Sequence, residues 1–193
     1  MINYSSKQLL EKYINMSQLD IYLDLVEKAN RSFNLFSRNL ERDDLMQIIA
    51  DSLIPVKLGW IKNDDTILDI GSGWGIPSIP FLLAISKLEI TLAERSNKKA
   101  DFLALALNRL GLEADIRNCD LSQISNKNNY SLVVSRRISL DGKIFPDIKK
   151  LASQNTRLIH YGLNFPADLY NLVQMIDYKL DNSSLKRITL AEI

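Results

Sequence analysis

The sequence predicts a doubly wound α/β fold, a mostly parallel seven-stranded sheet with helices on both faces and a helical extension in front. Three observations carry this. Short β-branched runs alternate with helical patterns from Thr66 onward, the arrangement of strand–helix–strand units. A glycine loop, Gly71-Ser72-Gly73-Trp74-Gly75, stands directly after the first such strand, where open α/β sheets bind ligands. Upstream, apolar residues recur at helical spacing instead. The 193 residues suit one domain, with residues 1–62 as the extension and 63–193 as the core.

From Ser5 to about Phe36 the pattern is helical. Ser5 with Gln8 reads as a capping box; Leu9, Leu10, Tyr13 and Ile14 then recur at helical spacing, followed by Ile21, Tyr22, Leu25, Val26, Ala29 and Phe33. A further helix is expected over Asp43–Leu58, strained at Pro55. Thr66–Ile70 is the first core strand, and Pro77 suits the first turn of the helix after the loop. Glu89–Glu94 is the second strand, and Lys98–Leu110 a helix closed by Gly111. Strands follow at Ala114–Arg117, Tyr130–Val134 and Thr156–Tyr161, with a helix over Ile144–Leu151. The tail is expected to hold a helix near Ala167–Met175 and two weaker strands near Tyr178 and Ile188.

Composition excludes several classes. A formal charge of +1 means that any polyanion must meet a local basic patch. The single Cys119 rules out an internal disulfide and any multi-cysteine metal site. No apolar run approaches the roughly 20 residues of a membrane span, and no secretory signal is visible at Met1–Ser5. The expected address is therefore the cytoplasm. No catalytic triad, paired-carboxylate site or metal cluster stands out.

The strongest chemical signal is Asp69-Ile70-Gly71-Ser72-Gly73-Trp74-Gly75 between a strand and a helix. Glycines let the backbone turn sharply and approach a ligand without Cβ contact. Dinucleotide folds favour G-x-G-x-x-G, whereas this loop is G-x-G-x-G. Glu94 ends the next strand, where a carboxylate can accept from both ribose hydroxyls of a nucleoside. Asp120-Leu121, after the third strand, could recognise an adenine, although Asp there is also an ordinary turn residue. Arg136 and Arg137 follow the fourth strand at its ligand-binding end and could meet a carboxylate, a phosphate or a base edge. Lys98-Lys99 opens a helix and is either a solvated face or part of a basic patch. His160, the only histidine, reads as a buried strand residue. Trp74 alone of the aromatics is placed to touch a ligand.

In this arrangement the sequence resembles the RsmG (GidB) family, bacterial methyltransferases of guanine N7 in small-subunit ribosomal RNA. The resemblance runs from about Asn30 to Arg136. It is carried by Asn30 with Asn34-Leu35, Asp51-Ser52-Leu53, Leu68 through Pro77 with Ile79-Pro80, Glu94 with Lys98-Lys99 and Phe102-Leu103, and Ser135-Arg136. It implies a class I S-adenosylmethionine methyltransferase fold and S-adenosyl-L-methionine as cofactor. By resemblance, Gly71, Ile76, Asp120, Leu121 and Arg136 fall at cofactor-contacting positions, joining Asp69, Gly73, Gly75 and Glu94 from the loop reading. Lys98, Lys99, Arg137 and Tyr161 are then the substrate-binding candidates, with Arg136 and Tyr161 as positioning residues and no metal ligand. The partner implied is ribosomal RNA or the small subunit, met by a monomer. The sequence departs from the family pattern in four places, one being Ser153-Gln154-Asn155-Thr156, which lacks the family's G-G turn before the fifth strand. Ile48 stands nearest the usual histidine before D-S-L, Ser78 replaces a glycine, and Tyr161-Gly162 replaces a Lys-Gly pair. A methyltransferase of a small molecule or protein, or a silent relative acting as a binding module, are the alternatives.

Overall fold

The computed structural model describes residues 2–35, 40–124, 130–181 and 183–193. Strand β1 (Ile2–Tyr4) precedes helices α1 (Ser6–Tyr13), α2 (Met16–Ser32), α3 (Arg42–Ser52) and α4 (Ile54–Lys57). Then come β2 (Thr66–Ile70), α5 (Ser78–Ala84), β3 (Glu89–Ala93), α6 (Asn97–Leu110), β4 (Asp115–Arg117) and β5 (Tyr130–Arg136). Helix α7 (Phe145–Leu151) leads to β6 (Ala152–Tyr161), β7 (Asn171–Leu180) and β8 (Lys186–Glu192).

Local chemistry sets several of these boundaries. Extended backbone at Ile14 ends α1, and Asn15 restarts the helix by accepting from the Ser17 and Gln18 amides. The single long helix expected from Ser5 is therefore two, and Phe36 lies outside the described residues. Of the capping box expected at Ser5 and Gln8 only the forward bond is formed, the Ser5 hydroxyl accepting from the Gln8 amide. The helix expected over Asp43–Leu58 breaks at Leu53, so that Pro55 sits in the first turn of α4, where a missing N–H costs nothing. Gly111 closes α6 at φ 66°.

The strands form one sheet in the order β1-β7-β8-β6-β5-β2-β3-β4. All neighbours are parallel except β8, which runs antiparallel to both β6 and β7. The sheet has eight strands, one more than the sequence predicts. The addition is β1, which pairs with β7 through Ile2↔Tyr178; three residues carry too little period to be read from sequence. The helix expected near Ala167–Met175 does not form. Asn171–Leu180 is strand instead, because β8 supplies a ladder that outweighs local helical propensity.

Side chains alternate between two apolar clusters. Ile67, Leu92, Leu132, Val134 and Ile159 face the N-terminal helices with α5 and α6. Leu68, Ile70, Val133, Leu158 and Ala191 face α7 and the turn carrying Phe165 and Tyr170. The helical extension thus shares a core with the sheet and contributes to the cleft at its C-terminal edge.

A glycine-loop cavity at the C-terminal edge of the sheet

Strands β2, β3 and β5 are parallel neighbours, so the loops leaving them converge at one edge. They enclose a cavity of about 500 Å³. Gly71, Gly73, Ile76, Glu94, Asp120, Leu121, Arg136, Arg137 and Lys99 from the sequence reading all line it. So do Leu35, Ile48, Trp74, Arg95, Cys119 and Ile138, which that reading had not placed at a site, Trp74 excepted. Four expected residues stand outside its lining: Asp69, Gly75, Lys98 and Tyr161.

The glycines are needed for space as well as conformation. Gly71, Gly73 and Gly75 have φ values of 70°, 61° and 94°, a region that L side chains seldom adopt. A Cβ on Gly71 would fall 2.7 Å from Ile138 Cδ1, and one on Gly75 2.7 Å from Ile79 Cγ1. Gly75 therefore acts by letting the loop lie against α5, not by facing the cavity. The Gly73 position is open, with only the Gly71 carbonyl oxygen 3.8 Å away.

Glu94 is buried, and its carboxylate accepts from the Gly73 amide at 2.9 Å and the Ser96 amide at 2.8 Å. It ties the loop to the start of α6 while each oxygen keeps a lone pair toward the cavity that it lines. Tyr22 of α2 holds the loop from the other side, its hydroxyl donating to the Trp74 carbonyl at 2.6 Å and its ring stacking on the indole. Asp69 lies beneath the loop and accepts from the Ser78 hydroxyl at 2.7 Å. Burial raises its pKa to about 7, against the lowering effect of the Ser78 bond. Asp69 is thus a support of the loop, and Ser78 supplies a hydroxyl that glycine could not.

Arg136 is the residue whose setting changes most. Its guanidinium donates to Asp51 Oδ2 at 2.6 Å and lies 5.0 Å from the centroid of the Tyr161 ring. Asp51 also accepts from the Tyr178 hydroxyl at 2.9 Å. Burial opposes the charge of Arg136, yet Asp51, Tyr161 and Tyr178 hold its pKa above the ordinary arginine value. Asp51-Ser52-Leu53 therefore matters through charge, since Asp51 fixes the arginine that lines the cavity. A carboxylate beside Leu45, Ile49 and Ala50 on the buried side of α3 is the signal that would have found it.

Tyr161, a substrate-binding and positioning candidate in the sequence, stands outside the glycine-loop cavity. It is 7% exposed, and its hydroxyl donates to the Ser52 carbonyl at 2.8 Å, pinning β6 to α3. The ring packs under Arg136 and lines a second cavity, beyond Arg137 and Ile138, instead of the glycine-loop cavity. Lys98 is exposed on α6. His160 is buried, its Nε2 3.1 Å from the Asn164 carbonyl oxygen. The Asn30 side chain accepts from the Leu35 amide at 2.9 Å and so presents Leu35 to the cavity. Among the described residues no group of histidine, cysteine and carboxylate side chains could hold a metal ion, and no helix is long and apolar enough to cross a membrane.

The donor set fits a nucleoside cofactor with a charged tail. Close-packed glycines give backbone access, Glu94 offers acceptors for vicinal hydroxyls, and Leu121 with Asp120 provides an apolar surface beside a carboxylate.

Comparisons with known proteins agree with this geometry. The family model for rRNA small subunit methyltransferase G (GidB) matches residues 15–175. A relative from Brachyspira hyodysenteriae named ribosomal RNA small subunit methyltransferase G is 32% identical over 168 residues, covering 83% of this chain and 80% of that protein. One of the same name from Streptococcus equi subsp. zooepidemicus is 38% identical over 97 residues, covering 50% of this chain and 41% of that one. Among solved structures, a mutant of MtNAS in complex with S-adenosylmethionine superposes with a TM-score of 0.62 at 10% identity, over 93% of this chain and 76% of that one. The Pyrococcus abyssi tRNA (uracil-54, C5)-methyltransferase in complex with S-adenosyl-L-homocysteine gives 0.57 at 10% identity, over 74% of this chain and 38% of that one. These two likenesses show the fold alone, the α/β fold of the class I S-adenosylmethionine methyltransferase type.

Proposed function

This chain belongs to the rRNA small subunit methyltransferase G family, and from that premise we propose that it methylates guanine N7 in small-subunit (16S) ribosomal RNA with S-adenosyl-L-methionine. The observation that carries the reading is the cavity itself. Glycine loop, Glu94 and Asp120-Leu121 line one part of it, and Arg95, Arg136 and Arg137 add cationic side chains. That combination suits a nucleoside cofactor beside a phosphate-bearing acceptor.

The cofactor supplies a methyl group on a positively charged sulfur. Glu94 holds the ribose hydroxyls, the open side at Gly73 admits the tail, and Asp120-Leu121 meet the adenine. Arg136, locked by Asp51, presents a fixed positive charge. Leu35, Ile48 and Trp74 keep water from the reacting atoms. Guanine N7 carries a free lone pair and no proton, so no side chain has to act as general base. The work of the protein is placement. A ribosomal substrate supports a cytoplasmic site of action.

The test is transfer of labelled methyl to 16S RNA or small subunits prepared from cells lacking this gene, with the modified base mapped. Label at guanine N7 is the expected result. Label on a protein or small molecule would move the substrate class, and cofactor binding without transfer to RNA would mark a silent relative.

A further inference from the structure

A second cavity, of about 660 Å³, opens between the turn after β5 and the turn after β6. It shares Arg137 and Ile138 with the glycine-loop cavity, so the two adjoin at those residues. Resting on the function proposed above, we infer that this second cavity lodges the acceptor guanine, with Asp141 reading its Watson–Crick edge and Arg137 meeting its phosphate.

Four observations support this. Arg137 makes no hydrogen bond or ion pair with any described residue, and its backbone is held at φ 60°, uncommon for a residue with a side chain. An unpaired guanidinium where two cavities meet is suited to a phosphate oxygen. Asp141 accepts from the Lys143 amide at 2.9 Å and the Ser139 hydroxyl at 3.3 Å. The Lys143 bond foremost holds its pKa below the usual carboxylate range, so it is anionic at neutral pH. Each oxygen keeps a further lone pair. Guanine presents N1–H and its 2-amino group side by side, a match for a carboxylate. Adenine would set the lone pair of its N1 against the same oxygens.

The remaining wall suits a planar ring. His160 is 5% exposed and lies 6.0 Å from Phe165, centroid to centroid. Its Nδ1 is buried without a hydrogen-bond partner. Gly162 lets the backbone cross this ring, since a Cβ there would fall 2.7 Å from His160 Nε2. A base drawn out of its stack and read on its Watson–Crick edge between apolar surfaces is the usual arrangement for base-modifying enzymes.

Because His160 is the only histidine, its ring proton signals report this cavity without ambiguity. Guanosine 5′-monophosphate is titrated by NMR into the protein saturated with S-adenosylhomocysteine, beside adenosine 5′-monophosphate. The expected result is a saturable shift with the guanosine nucleotide, and at least about tenfold weaker binding of the adenosine one. Asp141→Asn keeps an oxygen for the Lys143 amide, so the turn survives, and unchanged S-adenosylhomocysteine affinity by calorimetry checks it. This variant should lose the preference for guanosine, and Arg137→Gln should weaken the guanosine nucleotide about tenfold. No saturable shift up to about 10 mM, or an undiminished preference in Asp141→Asn, overturns the inference. Transfer to 16S RNA by the parent with a silent His160 signal sinks this inference alone. A responding His160 without transfer to any ribosomal RNA sinks the proposed function instead.

Discussion

Replacing Asp51 by alanine should cost more stability than its place outside the sheet suggests. Asp51 is 3% exposed and accepts from Arg136 at 2.6 Å and from Tyr178 at 2.9 Å, with the Lys186 ammonium 3.8 Å away. Truncation leaves a guanidinium whose side chain is 11% exposed without its counter-ion and orphans the Tyr178 hydroxyl. Removing one partner of a buried pair costs about 3–5 kcal/mol. For a chain of this size each kcal/mol lowers Tm by roughly 2–4 °C, so a fall of about 6–20 °C is expected. Asp51→Asn keeps an acceptor for one partner and should lose less, about 1–3 kcal/mol. The pair Asp51→Leu with Arg136→Met should lose less than the sum of the two single changes, because the buried guanidinium is no longer left without its counter-ion. Urea unfolding followed by circular dichroism measures each of these variants. A loss below about 1 kcal/mol for Asp51→Ala would refute the claim that this pair is buried and coupled. Cofactor affinity should fall with it, since Arg136 no longer has a fixed position.

Three further outcomes follow from the cavity. Glu94→Ala removes acceptors from Gly73, Ser96 and the ribose together, and should weaken S-adenosylmethionine at least about tenfold by calorimetry; unchanged affinity would remove Glu94 from the site. Gly75→Ala must displace Ile79 at an unfavourable φ of 94° and should destabilise the protein by about 1–3 kcal/mol, whereas a neutral effect in urea unfolding would show that the loop can move off α5. Asp69 has a folded pKa of about 7 against 3.8 for an ordinary aspartate. The folded state therefore holds the proton longer, so stability from this group is full below about pH 4 and is lost as pH rises to about 7. Asp69→Asn should flatten that decline, and identical pH profiles would contradict it.

The core of the fold was legible because its signals are local. Glycine spacing, β-branched runs and capping residues such as Asn15 and Gly111 act within a few positions of themselves. Glu94 could be placed at the cavity because it ends a parallel strand next to the glycine loop. The tail was less legible. Whether Asn171–Leu180 becomes helix or strand depends on β8, which arrives later in the chain, and β1 is strand only because Tyr178 offers it a partner. Asp69 and Tyr161 show the same limit within the site. Both sit beside ligand-facing positions, and which side of the sheet edge each side chain takes depends on Ser78 and Ser52, 9 and 109 positions away. The sequence by itself determined the cofactor loop and the strand that feeds it, since those contacts are short in sequence. Only the tertiary structure decided that Asp51 would hold Arg136 across 85 positions, because burial and pairing are properties of the folded chain.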